Sequence, residues 1–322
     1  MTENTLKEKT AKGLMWGTIS NGAQLVLGTL FGIFLARILS PSDYGMVGLL
    51  TVFSQIASVL QDSGFRTALA NRREIVHEDY NAVFWFNVGT SCVMYLLLFF
   101  LAPLITEFYQ HSDAAANQDL SELTPLARFS FLGFVIASLG TAHYAYLFRT
   151  LQVKQKAIIT VISLTTSSTI GLTMALKGYA YWGLATQGIA FTTCNTILFW
   201  YFSKWRPTLP VSFHPLKEMF GFSSKLLAND ICNNINGNIL SVMLGRFYAV
   251  HDVGLYNQAN KWTSMVSTMV LGTIKDVAQP VLRNVETERE RHKRVFRKML
   301  RFNAFMVFPA LFGLALISRE LI

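Results

Sequence analysis

Residues 225–241 read KLLANDICNNINGNILS, an apolar stretch interrupted by one carboxylate and several carboxamides. Asp230, Asn233, Asn234, Gly237 and Ser241 recur at spacings of three and four, which places them along one face of a helix. Polar groups turned towards lipid cost several kcal/mol each, so such a face lines a solute path or hydrogen-bonds to neighbouring helices. Asp230 has three open readings: it is protonated in transit, it holds a cation such as Na+, or it pairs with Lys225 or Lys261. A buried Lys261 would hold a pyrophosphate or an acidic sugar as a point charge; alternatively its ammonium snorkels to the outer interface. His143 reads as a packing residue and Arg128 as an interface residue. No Walker loop, GxSxG or HExxH occurs, and Cys92, Cys194 and Cys232 are far apart in apolar runs that suit small buried hydrophobes. The expectation is a non-enzyme with no catalytic residue, no metal and no cofactor.

These residues must be positioned by membrane helices. Of 322 residues, 52% are hydrophobic and 15% charged, too few charges to cover a soluble surface. A span needs about 20 mostly apolar residues. Nine such segments are predicted, at 13–36, 45–62, 82–106, 125–148, 157–176, 180–202, 222–246, 254–280 and 302–320. The first is too long for a signal-peptide core and is retained. Trp16, Trp85, Trp182, Trp200 and Trp205 fall near span ends, as membrane anchors do.

The net charge of +9 first suggests nucleic acid, but its distribution argues otherwise. With the N-terminus in the cytoplasm, 22 of the 28 Lys and Arg residues fall in or beside inside segments. The outside loop after the third span carries Glu107, Asp113, Asp119 and Glu122, and no Lys or Arg occurs from 74 to 127. This is a positive-inside pattern, and no nucleic-acid partner is implied. The stretch RNVETERERHKRVFRKMLR at 283–301 reads as a cytoplasmic helix whose last half meets the anionic inner leaflet.

The sequence repeats internally. LARILSPSDYGMVGL at 35–49 resembles LGRFYAVHDVGLYNQ at 244–258, an offset of 209 that pairs Arg37 with Arg246, Asp43 with Asp252 and Gly45 with Gly254. The same offset pairs Asn21 with Asp230, Gln24 with Asn233 and Gly28 with Gly237, so the first span carries a matching polar stripe. At each hairpin the acidic residue reads as a helix N-terminal cap, making Arg37, Asp43, Gly45, Arg246, Asp252 and Gly254 structural motifs. Six spans separate the copies, which predicts parallel bundles related by an axis along the membrane normal, with solute handled between them. The expected organisation is a six-helix lobe at 1–206, a cytoplasmic linker at 207–221, and the first three helices of a second lobe at 222–322. On this count the chain is an interrupted form of a protein of roughly twelve or more spans.

LARILSPSDYG, FRTALANR, ALKGYAYWGLATQ at 175–187, WRP at 205–207 and VGLYNQANKW at 253–262 resemble bacterial polysaccharide flippases. These are the lipid-linked oligosaccharide exporters of the multidrug/oligosaccharidyl-lipid/polysaccharide superfamily. The resemblance implies an all-α polytopic membrane protein, a two-lobed V-shaped transporter with its second lobe incomplete here. It implies export of undecaprenyl-pyrophosphate-linked repeat units from the cytoplasmic to the periplasmic leaflet of the bacterial inner membrane, by alternating access. The partners are then the lipid-linked oligosaccharide and membrane lipids, with Na+ or H+ left open. A cation-coupled drug exporter of the same superfamily and a non-transporting fragment are the alternatives. The orientation has its own test: a reporter active only outside the cytoplasm should work when fused near Asn117 and stay silent near Arg289.

Overall fold

The computed structural model describes residues 3–62, 65, 69, 75–110, 120–150, 152–209, 211–265, 289–316 and 318. Among these every regular element is an α-helix. The long helices are α1 (Glu3–Ile38), α2 (Pro41–Asp62), α3 (His77–Gln110), α4 (Leu123–Arg149), α5 (Val153–Leu176), α6 (Ala180–Phe202), α7 (His214–Phe247), α8 (250–265) and α9 (Arg289–Leu316). Each contains a predicted span or its described part. Asp113 and Asp119 of the acidic loop, most of FRTALANR and the second half of the eighth span lie outside the described residues.

Among the described residues, five segments are long and apolar enough to cross a membrane: Ile19–Ile38, Pro41–Gln61, His77–Gln110, Leu123–Arg149 and Val153–Leu176. Helices α6 and α7 match them in length; α6 carries Gln187 and Asn195, and α7 the Asp230–Asn238 run. The outer surface is apolar, with Phe100, Leu176 and Tyr201 largely exposed. The protein is an all-α, multi-pass membrane protein.

Packing divides the chain into two compact units, Met1–Gly254 and Leu255–Ile322. In the first, small residues let helices approach closely, as membrane packing requires. A Cβ at Gly183 would lie 3.2 Å from the Gly171 carbonyl oxygen, and one at Gly171 would lie 2.9 Å from Gln187 Cβ, so α5 and α6 meet nearly backbone to backbone. Gln187 Nε2 donates to Ser168 Oγ across the same seam at 3.2 Å. Helix α3 meets α4 through Ser91 and Ser138 (2.9 Å) and through Thr106 and Thr124 (2.8 Å). Helix α6 is fixed to α4 by Thr196 Oγ1, which donates to the Ile136 carbonyl at 3.1 Å.

The segment joining α6 to α7 is pinned to the start of α3. Asn81 holds both backbone groups of Thr208, donating to its carbonyl at 2.8 Å and accepting from its N–H at 3.0 Å. Trp85 donates to the same carbonyl, and His77 Nε2 lies 2.8 Å from the Thr208 hydroxyl. Trp205 Nε1 donates to His77 Nδ1 at 3.1 Å. Trp205 is therefore buried rather than a lipid-facing anchor, in a cluster with Tyr80, Phe84 and His143. His143 is fully buried and stacks on Trp200 at 4.4 Å. Arg128 donates to the Phe99 carbonyl and covers the Phe99 ring at 4.2 Å. Cys92 and Cys232 are exposed, against the expectation of burial, because their helix faces turn outward.

The α1–α2 turn is a reciprocal cap. Ser40 donates to Asp43 Oδ2 through its N–H (2.8 Å) and its hydroxyl (2.7 Å), and accepts from the Asp43 N–H at 3.3 Å, with Pro41 opening the helix. In the matching turn Ala249 replaces Ser40 and has no hydroxyl to offer. Arg246 Nη1 there donates to the Phe108 carbonyl in the last turn of α3 at 2.9 Å, a cation at a negative helix end.

The two turns pack against each other through the repeated glycines. A Cβ on Gly45 would meet the Val250 carbonyl oxygen and lie 2.7 Å from Val250 Cγ1. A Cβ on Gly254 would meet the Pro41 carbonyl oxygen and lie 3.0 Å from the Gly45 nitrogen. Pro41 and Val250 are themselves related by the 209-residue offset, so the contact is reciprocal, as at a two-fold interface. Beside it, a Cβ on Gly245 would meet Leu49 and the fully buried Tyr109.

In the second unit Gln258 and Trp262 are buried, while Lys293, Arg294, Arg297, Lys298 and Arg301 of α9 are exposed. Pro309 sits within α9, a placement tolerated in membrane helices.

Gly254→Ala should lower the melting temperature of the detergent-solubilised protein, since overpacking costs about 1–3 kcal/mol. Gly22→Ala, where a Cβ meets nothing within 4 Å, should leave it unchanged or raise it. Equal behaviour of the two variants would refute the close contact.

Candidate functional site

Helix α2 presents Thr51, Ser54, Gln55 and Ser58 at spacings of three and four, a single polar face. It runs antiparallel to α7 and meets Asn234 and Asn238 there. Asn238 Nδ2 donates to Gln55 Oε1 at 2.7 Å and also to the Asn234 carbonyl at 2.9 Å. Away from the glycine contact the two helices separate around two cavities. The first, of about 340 Å³, is bordered by the α2 face, Ser130 of α4 and Asn234. The second, of about 470 Å³, reaches between α4, α5 and α6 to Gln61, Thr141, Tyr144, Thr192, Asn195, Thr196 and Asp230. Ser58 and Val59 border both.

Several of these polar groups are satisfied within their own helix. Thr192 donates to the Gly188 carbonyl, Asn195 to Phe191 and Asn234 to Asp230. Their remaining lone pairs and N–H groups face open space. Gln61 Nε2 and Ser130 Oγ are buried and have no hydrogen-bond partner among the described residues. A buried donor left so costs about 1–3 kcal/mol, which water or a polar solute in the cavity recovers. Among the described residues neither cavity is lined by Lys or Arg, and Asp230 is the one charged residue bordering them. Among the described residues no group of three His, Cys, Asp or Glu is placed to hold a metal ion.

Of the residues singled out by spacing, Asp230 and Asn234 border the cavities. Asn233, the next position round the helix, is exposed. Asn21 is exposed on α1, and Gln24 donates to Ser20 one turn back; neither borders a cavity. Lys225 lies five residues from Asp230 on the same helix, off its face, and no ion pair joins the two. Lys261 is exposed at the residue level within the second unit, its ammonium 6.0 Å from the Trp262 ring. Arg37 is exposed at the end of α1, and Asp252 lies 3.6 Å from His251.

The α2 face was readable at the same spacing that singled out α7. The 209-residue offset carries it to Asn260, Thr263, Ser264 and Ser267, of which Ser267 lies outside the described residues. Helix α6 offered the same signal in Thr192, Asn195 and Thr196, at spacings of three and four, whereas α4 contributes chiefly Thr141 and Tyr144, too few to mark a polar face.

Residues 34–322 match a family described as "Polysaccharide biosynthesis protein". The chain is 29% identical over 326 residues to the "Lipopolysaccharide biosynthesis protein WzxC" of Escherichia coli K12, covering 99% of this chain and 63% of that one. It is 25% identical to the "Succinoglycan biosynthesis transport protein ExoT" of Rhizobium meliloti, covering 98% and 62%. The chain thus spans less than two thirds of the length of these curated relatives. Its fold resembles an inward-facing multidrug-resistance transporter of the MATE family (TM-score 0.64, 16% identity, 93% of this chain and 71% of that one). It likewise resembles the lipid II flippase MurJ (TM-score 0.62, 14% identity, 95% and 66%).

Water in the groove is testable by thiol chemistry. Ser58→Cys should react with a charged, water-borne thiol reagent, because only the hydrated thiolate attacks. Native Cys92, on the outward face beside exposed Val93, Leu96 and Leu97, should resist it in a lipid bilayer. Comparable labelling of both would argue against a hydrated groove.

Proposed function

Because the chain belongs to the polysaccharide biosynthesis protein family, we propose that it flips lipid-linked polysaccharide repeat units across the bacterial inner membrane. The glycan, carried on a polyprenyl pyrophosphate, passes from the cytoplasmic to the periplasmic leaflet while the lipid tail stays in the bilayer. The observation that supports this most directly is the groove between α2 and α7. It sets hydroxyls and carboxamides around open space in a bundle whose α2, α4 and α5 are apolar enough to cross a membrane. A hydroxyl-rich solute crossing hydrocarbon needs such a surface to replace its water.

The charge distribution supports an N-terminus in the cytoplasm. With that orientation α1 and α7 both rise to the periplasmic face, and the reciprocal Gly45–Gly254 contact closes the groove there. The cavities then lie on the cytoplasmic side of that closure, where substrate enters. Transport by alternating access requires the contact to part and re-form around the bound glycan. The repeat supports lobes at 1–206 and from 222 onward, joined by the linker at 207–221, with rocking of one against the other as the motion.

The test is leaflet translocation of a polyprenyl-pyrophosphate-linked oligosaccharide in vesicles holding the full-length product of the gene. Transfer well above protein-free vesicles is expected. Rates equal to the protein-free control would sink the proposal.

A further inference from the structure

We infer that Arg246 latches the groove shut: its bond to the end of α3 favours the closed state and is released each time the closure opens. The inference rests on the proposed flipping by alternating access. Arg246 lies in the last turn of α7, the first helix of the proposed second lobe, and its partner lies in the last turn of α3, a helix of the first. Consecutive residues of the two helices meet there. A Cβ on Gly245 would lie 2.7 Å from the Tyr109 ring. Arg246 Nη1 donates to the Phe108 carbonyl at 2.9 Å, and its guanidinium stands 5.3 Å from the Phe108 ring.

This bond and the glycine contact belong to one closure. Val250 and Val253, just beyond Arg246, are buried in one cluster with Tyr109 and with Met46, Leu49 and Leu50 of α2. Parting Gly45 from Val250 carries the end of α7 away from α2 and α3, so Arg246 must let go of Phe108.

The chemistry of the bond suits a latch. The Phe108 carbonyl is among the last four of α3, which have no partner within the helix. These carbonyls form the negative end of the helix dipole and attract a cation. Glu107, in the same turn, adds to the negative charge. Arg246 is only half-buried, so a released guanidinium meets water. A fully buried ion would be stranded on parting and would resist opening. The glycine contact and the apolar cluster carry no charge, which leaves Arg246 as the salt-sensitive element of the closure.

Spin labels at Ser42→Cys and His251→Cys report the width of the closure. Both positions are exposed and are related by the 209-residue offset. The protein is the full-length product of the gene, with its native cysteines replaced by alanine, in lipid nanodiscs without substrate. Double electron–electron resonance should show one dominant short distance when Arg246 is present. Arg246→Gln should raise the ratio of long to short distances about fivefold, the scale of one half-exposed bond to a charged group. Arg246→Lys, which keeps the cation, should raise it less. Raising the salt from about 0.05 M to about 1 M should lengthen distances with Arg246 present and leave Arg246→Gln unchanged, since screening acts on the charge. An unchanged distribution in Arg246→Gln, equal effects of Gln and Lys, or indifference to salt with Arg246 present overturns the latch. The salt comparison with Arg246 present needs no variant of that residue, so it decides even where such a variant misfolds. Distances are read apart from transport: translocation with unmoved distances overturns the latch alone. Loss of translocation with the latch effects intact overturns the flipping and leaves the charged contact standing.

Discussion

Within the hydrocarbon layer there is no water to satisfy a polar group, so each one must find its partner in the protein or around a wet space. Helices settle the backbone. Thr51, Thr160, Thr165, Thr169 and Thr192 return their hydroxyls to carbonyls one turn back. Ser91 with Ser138, Thr106 with Thr124 and Gln187 with Ser168 settle theirs between helices, and in doing so fix which helices are neighbours. What this accounting leaves over among the described residues includes Gln61 Nε2 and Ser130 Oγ, which border the cavities, and also Asn87, His143, Ser163 and Ser223, which do not line them.

Helix α2 serves two opposing demands along one length. Near its start, Gly45 lets the chain approach the matching turn until a single methyl group would collide with a carbonyl oxygen. From Thr51 onward, longer polar side chains hold α2 and α7 apart, bridged by Gln55 and Asn238 and otherwise open. The pair therefore has a tight end and a polar, spaced remainder. The reciprocity of the glycine contact follows from the repeat, since a surface duplicated within one chain can meet its own copy as two identical subunits do.

Much of this was legible in residue patterns. Long apolar segments announced the helices, because a chain in lipid has few other ways to satisfy its backbone. Asp43 at a helix start and the repeated glycines were visible in the repeat, and Asp230 and Asn234 in their spacing. Less legible were features set by side-chain direction. Trp205 looked like an interfacial ring from its position after α6, yet the segment that carries it turns back onto α3 and buries it against His77 and Phe84. Cys92 and Cys232 looked buried from their apolar neighbours, but in a membrane protein apolar neighbours also mark the outside. The first-span stripe at Asn21 and Gln24 mirrored α7 by offset, while α2 is the helix that faces α7 across the cavities.

The sequence by itself determined that this is a repeated, helical membrane protein with polar faces on particular helices, because composition and period are properties of the linear chain. Only the tertiary structure decided which polar faces share a space. A face at regular spacing has a direction but no partner until helices pack, and packing here follows the glycines and hydroxyls that permit closest approach. That is why Thr141 of α4, Thr192 and Asn195 of α6 and Asp230 of α7, far apart along the chain, border one cavity.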